Sequence, residues 1–521
     1  MPVEYKILEA NVPFAESIIW EINRTYYQDA GLSAWSESTV PHNMTSNAYV
    51  GKTYAGLILG FLRDIAKNKL TTVEKIYIVE LGSGHGRLAF HILSHLEYLI
   101  SLENIALPSY CYVLTDIVES NLTFFDQHHQ FQKYLDLGLL DTGYFDGTKS
   151  KEIVLKRSKI TIHQQSIQYP LIAIANYFFD SLPNDLYFIQ HGKTFPCNLT
   201  VESYQEIDKE TPTTFLKHLK TTVHKDEINQ NQENNPFIAQ LLAEYSEKLT
   251  ETYVLIPRLA LQCLDILRSF SKEGLLLISM DKGFANIADL AGRPEPEIIR
   301  HGSFSLYVNF HALGRYCDVR KGLKLFAASG DSSLQMACLL MVNNPAAYTE
   351  TLKAYDQYVS DFGPDDYNVT KKMLYRLVKE LSLIELIAGI KLGHYDSTLF
   401  LQLLPFIKKK SDSMTKEDRS NLSDALHKID QSFFDINEPI SASYEIAGLF
   451  YDLGYHQEAL DVFNRMTLSS GNVADIFYNK ILCYYQLRQD KLFIATLIEA
   501  KLAFPNFEKY AELDLLDLSA V

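Results

Sequence analysis

A glycine-rich turn between an apolar strand and an apolar helix carries the clearest chemical signal in this sequence. The segment IYIVELGSGHGRLAFHILSHL, residues 76–96, places Glu80 at the end of the predicted strand and Gly82, Gly84 and Gly86 in the turn. Glycine permits positive φ and lacks a Cβ atom, so a ligand can lie directly against the backbone. The next helix begins with unpaired N–H groups. We predict a ligand site here; the alternative is a tight turn without a ligand.

The spacing of these glycines indicates the kind of ligand. The pattern G-x-G-x-G differs from the G-x-G-x-x-G of dinucleotide-binding proteins, in which the helix end holds a pyrophosphate. S-adenosylmethionine (SAM) has no phosphate, but it has an ammonium group. An acidic side chain before the glycines can accept hydrogen bonds from that group. We therefore predict SAM as the cofactor, bound in part by Glu80, Gly82, Ser83, Gly84 and Gly86.

Two further acids follow predicted strands and are candidates for the nucleoside part of SAM. Asp116 ends the run YVLTD, where a doubly wound fold presents a carboxylate to ribose hydroxyls. Glu119 is the fallback for that role, and a solvated strand-end acid is the alternative for Asp116. Asp146, in GYFDGTKS, is a candidate acceptor for the adenine amino group. It is equally well explained as a turn-forming Asp before glycine.

The segment IAIANYFFDSLP gives another predicted strand an unusual polar and aromatic exit. Asn176 and Asp180 are the predicted catalytic residues, and Asn176 and Phe178 are also predicted to contact the cofactor. An aromatic ring can attract the sulfonium cation, although Phe178 and Phe179 are also compatible with ordinary core packing. Methyl transfer is an in-line displacement that depends mainly on alignment. A base such as Asp180 is needed only for a nucleophile that is protonated at neutral pH.

The elements that would hold these residues read as a doubly wound, Rossmann-like α/β domain. Strands that alternate with helical stretches imply a largely parallel sheet, and the four predicted strands are Lys75–Leu81, Tyr110–Asp116, Leu171–Asn176 and Gly274–Met280. We predict this domain at residues 71–330, with a polar insertion at about 205–250. Residues 1–70 are predicted to be a helical segment that precedes it.

From residue 331 to 521 the pattern predicts a helical domain with no strands. Two 34-residue registers that begin at Ile440 and Ala474 indicate tetratricopeptide-like repeats at about 440–507. The first register is supported by small and aromatic residues at repeat positions, namely Ala447, Phe450, Gly454, Ala459 and Phe463. The alternative is an ordinary helical domain in which this spacing arises by chance.

Composition excludes several other classes of protein and site. The 48 Lys and Arg residues against 64 Asp and Glu give a formal charge of −16, which disfavours a nucleic-acid partner. Six scattered cysteines argue against a disulfide framework and against a metal site, and they favour a cytoplasmic location. We also expect no membrane partner, because no apolar run reaches the ~18 residues that a span requires.

Three segments together resemble the MidA family of SAM-dependent methyltransferases. These are ELGSGHGRL, ANYFFDSLP and SLYVNFHAL, and the resemblance covers roughly residues 30–325. It implies a class I methyltransferase fold and, from the mitochondrial members linked to complex I assembly, methylation of arginine in a protein. Tyr177 stands where the family favours Glu, and Asn309 stands where it favours Asp. Both departures remove a carboxylate from the acceptor site that the resemblance implies.

These observations predict a class I SAM-dependent methyltransferase that modifies a protein side chain recruited by the helical repeats. A fused repeat module is a binding surface, which a small-molecule enzyme rarely needs. Two alternatives remain open at the level of sequence. One is a small-molecule methyltransferase whose helical tail forms a homodimer or stabilises the chain. The other is a catalytically silent scaffold that binds SAM.

Overall fold

The computed structural model describes most of the chain, and it divides into two compact units, Met1–Val369 and Thr370–Val521. The described residues are 5–37, 40, 42–67, 74–204, 218–228, 233–296, 299–301, 303–328, 334–438, 441–470 and 473–513. No described helix is both long enough and apolar enough to cross a membrane. In the same residues, no cluster of His, Cys, Asp or Glu side chains is placed to hold a metal ion.

All the strands among the described residues lie in the first unit. In chain order they are β1 (Lys6–Pro13), β2 (Ile76–Glu80), β3 (Tyr110–Asp116), β4 (Leu140–Tyr144), β5 (Ile153–Val154), β6 (Thr161–Ile162), β7 (Leu171–Asn176), β8 (Asp185–Gln190), β9 (Lys193–Ser203), β10 (Leu219–Lys225), β11 (Thr252–Ile256), β12 (Gly274–Phe284), β13 (Ile299–His301), β14 (Ser303–Ser305), β15 (Val308–Asn309), β16 (Leu323–Phe326) and β17 (Leu334–Val342).

Helices occur in both units. They are α1 (Ile18–Ala30), α2 (Ser33–Ser36), α3 (Ala48–Lys67), α4 (Arg87–Ser101), α5 (Glu119–Gln127), α6 (His129–Asp136), α7 (Pro236–Lys248), α8 (Arg258–Phe270), α9 (Phe310–Val319), α10 (Thr349–Tyr355), α11 (Pro364–Leu377), α12 (Leu383–Leu392), α13 (Ser397–Lys408), α14 (Lys416–Ser432), α15 (Ala442–Asp452), α16 (His456–Ser470), α17 (Ala474–Gln486), α18 (Asp490–Ala503) and α19 (Tyr510–Leu513).

The main sheet has the strand order β16-β17-β12-β7-β2-β3-β4, and β15 pairs with the end of β12. The strands from β12 to β4 run parallel, whereas β17 is antiparallel to β12 and β16 is antiparallel to β17. The parallel strands are short and almost continuously apolar because helices cover both faces of the sheet. The prediction of a mixed α/β domain is confirmed, and its four predicted strands correspond to β2, β3, β7 and β12.

The direction of strand addition reverses at β2. The chain adds β3 and β4 on one side of β2, and it then returns to add β7 and β12 on the other. At such a switch point the connecting loops separate, which leaves a crevice at the carboxyl ends of the strands. The sheet therefore positions the exits of β2, β3, β7 and β12 around one crevice.

A second sheet has the order β1-β9-β8-β11, with β10 also paired to β9. It corrects two predictions. The N-terminal segment is not wholly helical, because Lys6–Pro13 forms β1. The predicted polar insertion contains the edge strand Leu219–Lys225 and helix Pro236–Lys248, and its residues 205–217 and 229–232 lie outside the described residues. The alternating charged and polar residues of an edge strand resemble a loop in the sequence.

The predicted domain boundary near residue 330 differs from the structure. Residues 334–342 form β17, which lies between β12 and β16 and is buried along its whole length. The first unit then continues, because the Asp64 carboxylate of α3 accepts hydrogen bonds from the Glu350 and Thr351 N–H groups at the start of α10. The continuous apolar run LQMACLLMV is compatible with a buried helix as well as a buried strand, and the sequence prediction chose the helix.

The second unit is helical throughout its described residues. Its apolar core is formed by buried side chains from α12 to α19, for example Leu386, Phe400, Leu426, Phe450 and Phe477. Side-chain caps begin several of these helices, and Ser382 with Glu385 and Thr415 with Asp418 form capping boxes.

Truncation tests the position of the boundary. A chain that ends at residue 330 lacks β17 and should lose its cooperative unfolding transition, because removal of that strand exposes the apolar edge of β12. A chain that ends at residue 369 retains β17 and the stacked rings of Tyr49 and Tyr367, 4.5 Å apart, and it should unfold cooperatively. Urea denaturation followed by circular dichroism measures both. A cooperative transition in the shorter chain would contradict this division.

Candidate functional site

A cavity of about 690 Å³ opens at the carboxyl ends of β2, β3 and β7. We call it the strand-end cavity. Every site residue that the sequence predicted lines it, except Gly86. Its volume lies in the range of sites for small molecules and cofactors. The topology therefore brings together residues that are up to 100 positions apart in the sequence, from Glu80 to Asp180.

All three loop glycines have positive φ, at 58°, 58° and 76° for Gly82, Gly84 and Gly86. A Cβ atom on Gly82 would lie 3.1 Å from the Phe178 ring, and one on Gly84 would lie 3.0 Å from the Trp35 ring. The sequence analysis assigned the space beside these glycines to a ligand. In the structure, aromatic rings of the protein itself occupy the space where the Cβ atoms would lie.

Gly86 has a structural role in the loop. It is the N-cap of α4 in a left-handed conformation, and a Cβ atom there would lie 3.0 Å from Phe125, which does not line the cavity. Gly86 does not line the cavity, and its predicted contact with the cofactor stays a prediction. The residue is needed for the turn geometry, because the left-handed conformation costs little only for glycine.

Glu80, at the end of β2, is a buried acid beside the loop. The Tyr112 hydroxyl donates a hydrogen bond of 2.6 Å to its Oε2 atom. Burial raises the pKa of Glu80 to about 8, and the nearby negative charge of Asp116 acts in the same direction. A cation placed next to Glu80 would favour the ionised form, so this carboxyl group is suited to an ammonium ligand.

Asp116 connects the end of β3 to the glycine loop. Its two carboxylate oxygens accept hydrogen bonds of 2.9 Å, one from the Gly84 N–H and the other from the Val118 N–H. Burial raises the pKa of Asp116 to about 6, against the effect of these bonds. The fallback residue, Glu119, lies outside the cavity and forms an ion pair with Lys156.

The structure places Asp146 in a turn at the cavity wall, and its predicted contact with the adenine amino group stays a prediction. It forms a turn, because its Oδ1 atom accepts hydrogen bonds from the Thr148 N–H and hydroxyl groups. It also lines the cavity, where its Oδ2 atom lies 2.8 Å from Nη1 of Arg24. Burial alone would raise the pKa of Asp146, but the Thr148 bonds and the Arg24 cation lower it.

Asn176, at the end of β7, has a strong positioning role. Its Oδ1 atom accepts hydrogen bonds from the Tyr54 hydroxyl at 2.7 Å and from the Met280 N–H at 3.0 Å. Its amide nitrogen donates to the Thr45 carbonyl at 3.0 Å. Asn176 therefore connects β7, β12, α3 and the segment before α3. Its predicted catalytic and cofactor contacts stay predictions.

The exit of β7 adopts a strained backbone. Tyr177 has a φ of 47°, which is unfavourable for a bulky residue, and its N–H donates to the Met280 carbonyl. The Phe178 ring packs between two glycines, since a Cβ atom on Gly147 would lie 2.6 Å from it. Such strain is typical of functional sites. Phe178 forms one wall of the cavity.

Asp180 is paired with a residue that sequence reasoning missed. Its carboxyl group is hydrogen-bonded to that of Asp281 in β12. Its backbone N–H also donates a hydrogen bond of 3.2 Å to Asp281 Oδ2. Burial raises the pKa of both groups, and the repulsion between two like charges adds to that of Asp281. We call these residues the aspartate pair. Both effects favour a proton held by the pair.

A sequence signal for Asp281 existed. The predicted fourth strand ended at Met280, and Asp281 is the first polar residue after its apolar run, as Asn176 is after β7. The same rule that selected Asn176 would therefore have selected Asp281. Lys282, the next residue, also lines the cavity, and its positive charge opposes the rise in the pKa of Asp180.

Further lining residues come from the N-terminal segment. Trp20, Arg24 and Tyr27 of α1 and Trp35 of α2 lie in the cavity wall, and the Tyr27 hydroxyl donates to Ser303 Oγ at 3.0 Å. They lacked any sequence signal, because their partners are distant in the chain. Asn309, by contrast, was singled out in the sequence but does not line this cavity, so its departure from the family pattern does not affect this site.

Two histidines also line the cavity, His42 and His85, with ring centroids 4.7 Å apart. Burial lowers the pKa of both, and the Arg87 cation lowers them further. Both are therefore neutral at pH 7, so the positive charges in the cavity wall come from Arg24, Lys149 and Lys282.

The buried acids predict a pH dependence of stability. Because the folded-state pKa of Glu80 lies above its ordinary value, folded protein binds more protons than unfolded protein between pH 5 and 8. Glu80→Gln should therefore be more stable relative to wild type as pH rises, by about 1–4 kcal/mol. Urea denaturation without cofactor measures the difference, with the exposed Glu119→Gln as control. A pH-independent difference between Glu80→Gln and wild type would contradict the assignment.

Comparisons with known proteins bear on the class of reaction. Residues 57–288 match the model of a family described as "Putative S-adenosyl-L-methionine-dependent methyltransferase". A comparison with curated proteins gave no match. The matched range contains the glycine loop, the strand-end acids and the aspartate pair.

Solved structures show weak similarity. An uncharacterised superfamily protein from Burkholderia thailandensis is 12% identical, with a TM-score of 0.40, over 65% of this chain and 90% of that chain. A superfamily member from the same organism, bound to S-adenosyl-homocysteine, is 13% identical, with a TM-score of 0.38, over 61% and 74%. The CMeT domain of a citrinin polyketide synthase is 10% identical, with a TM-score of 0.24, over 52% and 48%. The family match supports a SAM-dependent methyltransferase, with SAM as its cofactor.

Proposed function

We propose that this protein is a class I methyltransferase that transfers the methyl group of SAM to a side chain of another protein. One observation carries the proposal. Gly82 and Gly84 of the glycine loop, the acids at the ends of β2 and β3, and Asp180 line a single cavity at the switch point of the sheet, and Asp281 lies behind Asp180 as its hydrogen-bond partner. Counted from β2, the first five strands have the order 3-2-1-4-5 of doubly wound nucleotide-binding folds.

The walls of the strand-end cavity fit the chemical parts of SAM. Glu80 would accept hydrogen bonds from the ammonium group of the methionine portion, and this portion would lie next to the backbone of Gly82 and Gly84. Asp116 would accept hydrogen bonds from ribose hydroxyls, because it is a carboxylate in the cavity wall at the end of β3. The Phe178 ring would face the sulfonium or adenine, to which a π face is attractive. Bound there, SAM supplies an electrophilic methyl group.

The aspartate pair is suited to the proton that a methylated nucleophile releases. A buried pair with one proton carries one negative charge, which can orient a nucleophile and accept its proton. Tyr27 and Tyr177 lie close enough for their own pKa values to be raised by both aspartates. Both aspartates are buried, and burial strengthens the interaction of the pair with an acceptor.

The second unit supports a protein substrate. Side-chain hydrogen bonds in this unit repeatedly connect residues 34 to 37 positions apart, which is close to the length of a tetratricopeptide repeat. The connected residues are Lys408 and Glu445, Arg419 and Leu453, Asp430 and Arg465, Tyr444 and Asn479, Tyr451 and Gln486, and Asp475 and Lys509. Such stacking of helix pairs is typical of modules that bind other proteins.

The proposal predicts the result of incubating the full chain with methyl-labelled SAM and a lysate of its source cells. We expect label in a protein band. Asp180→Asn and Asp281→Asn should each reduce labelling by about 10²–10⁴-fold, the usual contribution of a positioned base, while SAM binding is retained. Glu119→Gln, an exposed residue outside the cavity, is the control and should label normally.

Other outcomes of this incubation separate the alternatives. Label only in small molecules would favour a small-molecule methyltransferase. SAM binding without any label would favour a silent scaffold. Normal labelling by both aspartate variants would show that the pair is not the proton acceptor.

A further inference from the structure

A second cavity, of about 190 Å³, lies beside the segment Ser303–Asn309. We call it the side pocket. Its walls are largely apolar and include Leu186, Tyr253, Phe284, Leu290 and Leu306. The volume is below the ~300 Å³ at which small-molecule sites begin, yet several times the ~30 Å³ of a water molecule. It therefore suits one large side chain better than a whole metabolite.

The inner wall of the side pocket offers few free polar atoms. Asn309 is the buried polar residue there, and its amide nitrogen donates to the Leu255 carbonyl at 2.9 Å and to the Tyr245 hydroxyl at 3.1 Å. Its Oδ1 atom accepts from the Ala312 N–H at 2.9 Å. With these bonds made, Asn309 does not require a polar partner. A polar group placed in the pocket would lose its hydration without compensation, so the occupant should be apolar.

The rim of the side pocket carries a positive charge. The Arg293 guanidinium stacks on the Phe284 ring, 3.7 Å from its centroid, and its Nε atom donates to the Asp289 carbonyl. Within the described parts of the chain, no carboxylate forms an ion pair with Arg293. Glu295 also lines the rim, but its carboxylate accepts from the Val223 N–H. Arg293 is thus fixed in orientation and can pair with an external carboxylate.

The side pocket and the strand-end cavity share one segment. Ser303, Phe304 and Ser305 line the strand-end cavity, whereas the next residues, Leu306 to Asn309, line the side pocket. An extended chain rises ~3.3 Å per residue, so the two sites lie roughly 10–13 Å apart along this segment. A bound polypeptide in extended form would cover that distance with three or four residues.

We propose that the side pocket binds a large apolar side chain of the protein substrate, three or four residues from the residue that is modified. An acidic residue beside that apolar one would face Arg293. This inference rests on the proposed function, because it names a recognition element of the same protein substrate. It also makes the first unit a contributor to substrate choice, in addition to the helical repeats.

The experiment uses the full chain and three probes, the capped dipeptide amides acetyl-Asp-Phe, acetyl-Asp-Ala and acetyl-Lys-Phe. Saturation-transfer NMR measures their binding. We expect acetyl-Asp-Phe to bind more tightly than the other two, since only it satisfies both the apolar wall and the cation. Arg293→Glu should weaken the binding of acetyl-Asp-Phe by about tenfold or more and should strengthen the binding of acetyl-Lys-Phe.

Leu290→Phe provides a second variant, because it fills the pocket without changing its charge. It should abolish binding of both Phe probes while the protein remains folded and binds SAM. Arg320→Glu is the matched control, because Arg320 also stacks on an aromatic ring, 4.1 Å from the centroid of Tyr316, but does not line either cavity. It should leave binding of the probes unchanged.

Failure of the side pocket can be distinguished from failure of the proposed function. Equal binding of all three probes, no binding, or binding unaffected by Arg293→Glu and Leu290→Phe would each overturn the pocket assignment. None of these results changes the labelling of protein by SAM. Conversely, failure to label protein would overturn the proposed function. Binding of the probes to the side pocket could still be measured, because it does not depend on methyl transfer.

Discussion

Desolvated carboxyl groups at the carboxyl ends of the strands are the constraint on which this site depends. Glu80 and Asp116 are the last residues of β2 and β3, Asp180 lies just after β7, and Asp281 lies near the end of β12. All four are buried. Burying acids is costly unless each has a partner. Here the partners are a tyrosine hydroxyl, two backbone N–H groups and a second aspartate. Each partnership fixes the loop or strand end to which it belongs.

This constraint also explains why the site is preorganised. The bonds from Gly84 and Val118 to Asp116 hold the glycine loop against β3, and Asn176 holds β7 against β12 and α3. Aromatic rings then fill the space beside the glycines. Acids held in this way contribute little to stability, because replacing buried charges by apolar groups is often neutral or stabilising. Their placement fits the proposed chemistry, in which a cationic cofactor and a released proton would meet groups with raised pKa values.

Sequence patterns predicted the sheet and its polar exits because both are local. A strand of the central sheet is a short apolar run, and the first polar residue after it reaches the crevice, which identified Glu80, Asp116 and Asn176 as strand ends. Asp281 was missed because its predicted strand ended at Met280, four residues before the end of β12 at Phe284. The run 334–342 was assigned to a helix because apolar residues alone do not distinguish a buried strand from a buried helix.

Other features depend on contacts that no local pattern contains. Trp35 reaches Gly84, and Tyr27 bonds to Ser303, a residue 276 positions away. Gly86 does not line the cavity for a related reason: the three glycines share a motif, but a Cβ atom on each of them would meet different neighbours. The chemical roles of the strand-end residues therefore remain predictions, whereas their positions at one cavity are features of the fold.

The central claim is that SAM occupies the strand-end cavity with its methionine end at the glycine loop. The only two tryptophans of the chain, Trp20 and Trp35, both line this cavity, so intrinsic fluorescence reports on it directly. Titration of SAM into the full chain should give a saturable, single-site change in fluorescence. Trp35→Phe should remove most of that change, and Trp20→Phe should retain it, because Trp35 packs on Gly84. Calorimetric binding of SAM without any change in tryptophan fluorescence would contradict the claim.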